Sequence, residues 1–188
     1  MKENDRHKLR RKHTARGYKR SSHGILRALE VEDLPDILEW RKDPEILRYL
    51  DSYAPLSMHE HRRWFEGLQG DRTRSYFGII APDDGLAGVI WLKQIDWRVR
   101  KAEVGIYLGR MRAKGLGTEA LRQLSRYAFD TLNLHKLWAT VFAFNAPSQT
   151  LFERCGFLRE GVLRDETFKE GRYHDVIRYG LLREEVLP

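Results

Sequence analysis

The stretch that most limits how this 188-residue chain can fold is "KAEVGIYLGRMRAKGLGTEAL", residues 101–121. Its first nine residues alternate polar and apolar and predict a strand over 101–109. Gly115 and Gly117 then punctuate a basic loop. Beyond it, the spacing predicts a helix from Thr118 to Leu132, with Leu121, Leu124, Ala128 and Leu132 on one face. A strand that runs through a glycine-rich turn into a helix presents several backbone N–H groups at a helix N-terminus, where the macrodipole favours an anion. The two glycines permit positive φ and close backbone approach. Arg112 and Lys114 add cations, and Thr118 reads either as the helix cap or as a donor to a phosphate oxygen. The ligand that suits such a turn is a pyrophosphate. It is not the triphosphate loop G-x-x-x-x-G-K-[ST], because no Lys-Thr follows the second glycine. Nor is it a dinucleotide G-x-G-x-x-G, since Ala120 takes the third position and the loop lies far from the first strand.

The rest of the chain supplies regular elements around this one. "ILRALE" (25–30) predicts a strand and "EDLPDILEWRK" a helix, with Leu34, Ile37, Leu38 and Trp40 at helical spacing. Ser57 and Glu60 form a capping box for "SMHEHRRWFEGL". Strands follow at 75–80 and 86–95, joined by "APDDG". After the glycine loop come a buried strand (135–144), a short helix in "APSQTLFERCG" with Pro147 in its first turn, and two closing strands around "FKEGR". The order β, α, α, β-β-β, α, β, α, β-β predicts one α+β (mixed α/β) domain over 24–188, its central sheet covered by helices on both faces.

Charge separates the chain into two parts. The formal net charge is +7, and residues 1–23 alone carry nine Lys/Arg against Glu3 and Asp5; the other 165 residues hold 25 basic and 25 acidic side chains. The domain is therefore neutral, and whole-chain basicity says nothing about nucleic-acid binding by it. The tail has almost no apolar residues and does not fold by itself. It reads as a solvated extension, or as a segment for electrostatic contact with the ribosome, RNA or another acidic surface. No apolar run is long enough for a membrane span and no secretory leader is recognisable, so a cytoplasmic protein is expected. The single cysteine, Cys155, excludes an internal disulfide and a cysteine-built zinc site; no metal is expected.

Several motifs, in order, resemble the GCN5-related N-acetyltransferases (GNAT). Arg112-Ala-Lys-Gly115-Leu-Gly117 fits that family's R/Q-x-x-G-x-G/A signature, and "NAPSQTLFERCGF" (145–157) is similar to its second landmark. The closing hairpin and "ILEWRKDPEILRYL" extend the likeness over 25–185, especially to the branches that acetylate ribosomal-protein N-termini and amino-sugars. The resemblance implies a mostly antiparallel sheet of about seven strands, splayed between two parallel strands, here 101–109 and 135–144. It implies acetyl-CoA as co-substrate, its pyrophosphate on Arg112, Lys114, Gly115, Leu116, Gly117 and Thr118. The pantetheine arm would pair with Ile106, Tyr107 and Leu108, and Asn145 and Ser148 would complete the cofactor site. A backbone N–H of the first splayed strand would steady the oxyanion.

The family's acceptor amine attacks the thioester directly, so no enzyme nucleophile is needed. The amine must be neutral, although an α-amine has a pKa of about 8 and a lysine amine about 10.4. Glu103, on the strand beside the expected thioester, is the candidate general base; it also reads as an ordinary exposed carboxylate paired with a cation. Where many relatives place a tyrosine to protonate the leaving thiolate, this chain has Phe152. Ser148 takes that role by its likeness to the ribosomal-protein branch, or it caps a helix. The acceptor reads as a protein N-terminus or a small amine such as a nucleotide-linked amino-sugar, with Trp40, Trp64 and Tyr53 as candidate lining. A polyamine would want clustered carboxylates, and "EVEDLPD" is the only dense acidic stretch before the loop. The other class is an inactive acetyl-CoA sensor or a module docking through its tail. A monomer or homodimer is expected.

Overall fold

The computed structural model describes residues 25–51, 55–81, 85–109 and 115–186. The basic tail, Tyr53, Arg112 and Lys114 lie outside the described residues.

Seven strands form one sheet: β1 (Leu26–Ala28), β2 (Ser75–Ile80), β3 (Leu86–Asp96), β4 (Lys101–Leu108), β5 (Lys136–Phe142), β6 (Leu158–Lys169) and β7 (Arg172–Leu182). Their spatial order is β1-β2-β3-β4-β5-β7-β6. Every neighbouring pair is antiparallel except β4 and β5. That parallel pair is short, matching only Lys101 with Lys136, Ala102 with Leu137 and Glu103 with Trp138. Beyond Glu103 the two strands part, which is the splay the resemblance implied.

Five helices flank the sheet: α1 (Leu34–Trp40), α2 (Pro44–Leu47), α3 (Met58–Glu66), α4 (Leu116–Arg126) and α5 (Ala146–Arg154). Period-2 alternation on β4 assigns its two faces. Ala102, Val104, Ile106 and Leu108 join the larger core, where α4 contributes Ala120, Leu121 and Leu124 and α5 contributes Phe152. On the other face Tyr107 packs with Val89, Trp91 and Tyr76 of the sheet, and with Ile37 and Trp40 of α1 and Trp64 and Phe65 of α3. Leu121 and Leu124 are fully buried, and each such side chain contributes about 1.5–3 kcal/mol by leaving water.

The capping box expected at Ser57 forms: its hydroxyl accepts from the Glu60 N–H, and the Glu60 carboxylate accepts from the Ser57 N–H at 2.9 Å. Two helix limits differ from expectation. α4 starts at Leu116, because Gly115 adopts the left-handed conformation (φ 95°) that sets the N-cap, and Thr118 therefore does not cap. At its far end the helix widens into a π-turn over Tyr127–Thr131 before Leu132. The acids of "EVEDLPD" have a structural use in Asp33. It is buried, receives both Arg27 guanidinium nitrogens at 2.7 Å, and accepts from the Glu30 N–H.

Candidate active site

Where β4 and β5 separate, a cleft of about 830 Å³ runs through the sheet. One end is bounded by Gly115, Gly117 and Thr118 of the α4 start and by Asn145, Ser148 and Leu151 around α5. Ile106, Tyr107 and Leu108 form one wall and Thr140, Val141 and Phe142 the opposite wall. Residues on parting strands lose their ladder partners, so a strand-like ligand satisfies groups the sheet itself leaves open.

The glycine turn is built for close approach. Gly115 carries the positive φ. Gly117 lies within the first helical turn, and a Cβ there would sit 3.6 Å from Leu151, an ordinary contact. Leu116 differs from expectation: its side chain is buried in the larger core beside Ala120 and does not line the cleft, which leaves its backbone for a ligand. Asn145 caps α5, its Oδ1 accepting from the Ser148 N–H at 3.2 Å, so Ser148 is not the cap. Phe152 is packed edge-on to Phe157 and parallel to Tyr179. The neighbouring phenol of Tyr179 donates to Glu153 at 2.8 Å and is fully buried, with its pKa pushed up to about 12. It does not border the cleft, so it is not placed to supply the hydroxyl that Phe152 lacks.

The lining also carries acidic and aromatic side chains. Glu45 of α2, Asp51 after it, Glu103 of β4 and Glu166 of β6 all border the cleft, as do the cations Arg41, Lys93 and Arg154. Burial raises the Glu103 carboxyl above the usual range, opposed by the positive charges of Lys93 and Arg178. Gln94 donates to Glu103 Oε2 at 3.1 Å. It does so from a bulge between Lys93 and Asp96, with a φ of 50°. Trp64 lines the cleft as expected, but Trp40 does not. Trp40 packs edge-on against Tyr107, over Gly109, where any Cβ would fall inside its indole.

The match that decides the family is the profile described as "Acetyltransferase (GNAT) domain", which covers residues 24–158. The chain belongs to the GNAT acetyltransferases. It is similar to the prophage-derived N-acetyltransferase YokL of Bacillus subtilis, 36% identical over 165 residues, 85% of this chain and 90% of that one. It is also similar to the putative ribosomal N-acetyltransferase YdaF of the same organism, at 31% over 177 residues, 88% and 94% of the two chains. Among solved structures, spermidine N-acetyltransferase from Vibrio cholerae in complex with CoA and spermine superposes with a TM-score of 0.81 at 31% identity, covering 85% of this chain and 95% of that one.

The protein is thus an acetyl-CoA-dependent N-acetyltransferase of GNAT type. The left-handed Gly115 N-cap and the parted strands fit a CoA ester. No described helix is long and apolar enough to cross a membrane, and no metal-binding group of His, Cys, Asp or Glu occurs among the described residues. Cys155 is half-buried with its thiol pKa raised by burial, and Sγ reaches the Thr118 carbonyl at 3.7 Å, so this acetyltransferase holds it as a thiol rather than a reactive thiolate.

His61 is a cleft residue that the sequence did not single out and that carries a physical cost of its own. It is 0% exposed, stacks on Trp64 at 5.0 Å, and neither ring nitrogen has a hydrogen-bond partner among the described residues. Burial, reinforced by nearby Arg41, pushes its pKa down to about 4. In the unfolded chain the imidazole titrates near 6.5. Between those values the unfolded chain binds a proton that the native state refuses, so stability falls as pH drops from about 6.5 to about 4, by at most about 3 kcal/mol. Urea unfolding at pH 7.5 and 4.5 should show His61→Phe losing less stability on acidification than the parent; equal losses would clear His61 of the effect.

Proposed function

We propose that this acetyltransferase modifies a polyamine. The observation that carries this reading is that Glu45, Asp51, Glu103 and Glu166, from four separate segments, all border one cleft. A flexible polycation needs several anionic contacts spaced along its length, and those carboxylates provide them. The Vibrio cholerae structure with CoA and spermine supports the same acceptor class. This takes the place of the protein N-terminus or amino-sugar expected from the sequence.

In the proposed arrangement, amides around Gly115–Gly117 hold the pyrophosphate and the β4 edge at Ile106–Leu108 pairs with the pantetheine arm. The Asn145 side-chain N–H groups are left for the ligand. Glu103 takes a proton from the acceptor ammonium, directly or through water, so that the neutral amine attacks, and Ser148 donates to the departing thiolate. The likeness to the putative ribosomal N-acetyltransferase YdaF makes N-terminal peptides the competing substrates to test.

An amine panel with acetyl-CoA separates these readings. Spermidine and spermine should release CoA with kcat/KM at least about tenfold above N-terminal peptides and amino-sugars, a preference of about 1.4 kcal/mol or more. Glu45→Gln and Asp51→Asn should erode that preference without changing acetyl-CoA affinity. Faster turnover of an N-terminal peptide would overturn the polyamine assignment, and binding without turnover on any amine would return the sensor reading.

A further inference from the structure

Trp91 holds the other buried, unpartnered ring nitrogen bordering the cleft. Its indole Nε1 is out of solvent contact and has no hydrogen-bond partner among the described residues. An orphaned N–H costs free energy in the folded state, about 1–3 kcal/mol, unless something bound accepts from it.

Its position says what that something is. Trp91 of β3 lies directly across from Gly105 of β4, and the indole covers that glycine. A Cβ at residue 105 would fall within the ring, 2.8 Å from Nε1. Gly105 is two residues past Glu103, the last residue of the parallel β4–β5 pairing, at the point where the strands have parted. It lies between the candidate base and the Ile106–Leu108 edge. Under the proposed function, an acetyl thioester threaded between the strands would have its carbonyl beside this residue. The indole is also held firmly: it stacks on Tyr76 at 5.9 Å, meets Tyr107 at 6.0 Å, and has Lys93 Nζ 5.5 Å above its ring. A donor fixed in advance at a site of developing negative charge is the arrangement that lowers an acyl-transfer barrier.

We propose that Trp91 Nε1–H donates to the thioester carbonyl oxygen and is a catalytic residue. As the amine lone pair forms the new C–N bond, the carbonyl π pair moves onto oxygen. Trp91 and a β4 backbone amide share that oxyanion. When the carbonyl re-forms, the C–S bond breaks, the electron pair leaves with CoA sulfur, and the proton still on the nitrogen passes by way of Ser148 to that thiolate, Glu103 having taken the first before attack. This rests on the placement of the thioester under the proposed function, but not on which amine attacks.

The test uses the carbonyl band of acetyl-CoA, labelled with ¹³C at the acetyl carbonyl, by isotope-edited infrared difference spectroscopy without acceptor. Bound to the parent protein, the band should lie below that of free acetyl-CoA. In Trp91→Phe, which keeps a stacked ring and removes the N–H, it should move back toward the free frequency, with acetyl-CoA affinity unchanged and kcat lowered about 10²-fold. Gly105→Ala, which pushes the indole off β4, should shift the band in the same direction and carries the test if Trp91→Phe does not fold. A band identical in parent and variant, with acetyl-CoA bound to both, overturns the proposal while leaving the cofactor site intact. Failure of the parent to bind acetyl-CoA overturns both. Neither result depends on the polyamine assignment.

Discussion

Replacing Gly117 with Glu is expected to weaken acetyl-CoA binding by about 100-fold or more, roughly 2.7 kcal/mol. Gly117 sits in the first turn of α4, where backbone N–H groups have no intrahelical partner and face the cleft. A carboxylate there competes for those donors and repels the diphosphate, and each charge-assisted hydrogen bond to a phosphate oxygen contributes about 1.5–3 kcal/mol. Gly117→Ala separates charge from bulk. Its Cβ would meet Leu151 at 3.6 Å and Ile106 at 3.9 Å, ordinary contacts, so its dissociation constant should stay within severalfold of the parent. Gly115→Ala is the third member of the series. It leaves the cleft open but strains a residue at φ 95°, so its penalty should fall on stability, at about 1 kcal/mol. Titration of acetyl-CoA by calorimetry reads all three. An unchanged constant for Gly117→Glu would remove the pyrophosphate from this turn.

Glu103→Gln should lower kcat by about 10²-fold or more, the usual worth of a positioned general base. The pH profile distinguishes that role from a structural one. A base works only when ionised, so kcat/KM of the parent should fall as pH drops through the Glu103 pKa. Burial places that limb above the ordinary carboxylate range. A separate rise at higher pH belongs to the acceptor amine itself. In Glu103→Gln the acidic limb should vanish and the amine limb remain. If the limb persists, Glu103 is the paired strand carboxylate that the sequence also allowed. Ser148→Ala should slow turnover without moving the acidic limb or acetyl-CoA affinity, and an unchanged rate would take Ser148 out of the reaction.

The proposed cofactor half of the site was legible because its information is local. A strand, two glycines and a helix start within some twenty residues can be placed on a turn from spacing alone, and Gly115, Gly117, Ile106 and Asn145 all border the cleft. Even there, helix capping redistributed roles: Asn145 rather than Ser148 caps α5, and Gly115 rather than Thr118 sets the start of α4. The proposed acceptor half was not legible. Its carboxylates are separated by up to 121 positions in the sequence, from Glu45 to Glu166, and no window of the chain is unusually acidic where they arise. The dense stretch that did draw notice, around Asp33, is partly committed to Arg27. Trp91 reads in sequence as one more apolar strand residue, and His61 as one more polar residue on a helix.

By itself the sequence determined the α+β order of elements, the place of the glycine turn between a strand and a helix, and the family. These follow from hydrophobic period, capping and turn chemistry, which act over a few residues. Only the tertiary structure decided that β4 and β5 part after Glu103, that four distant carboxylates border the resulting cleft, and that an indole N–H over Gly105 has no partner among the described residues. Those depend on strand register and side-chain packing, and both are set by contacts between segments far apart in the chain.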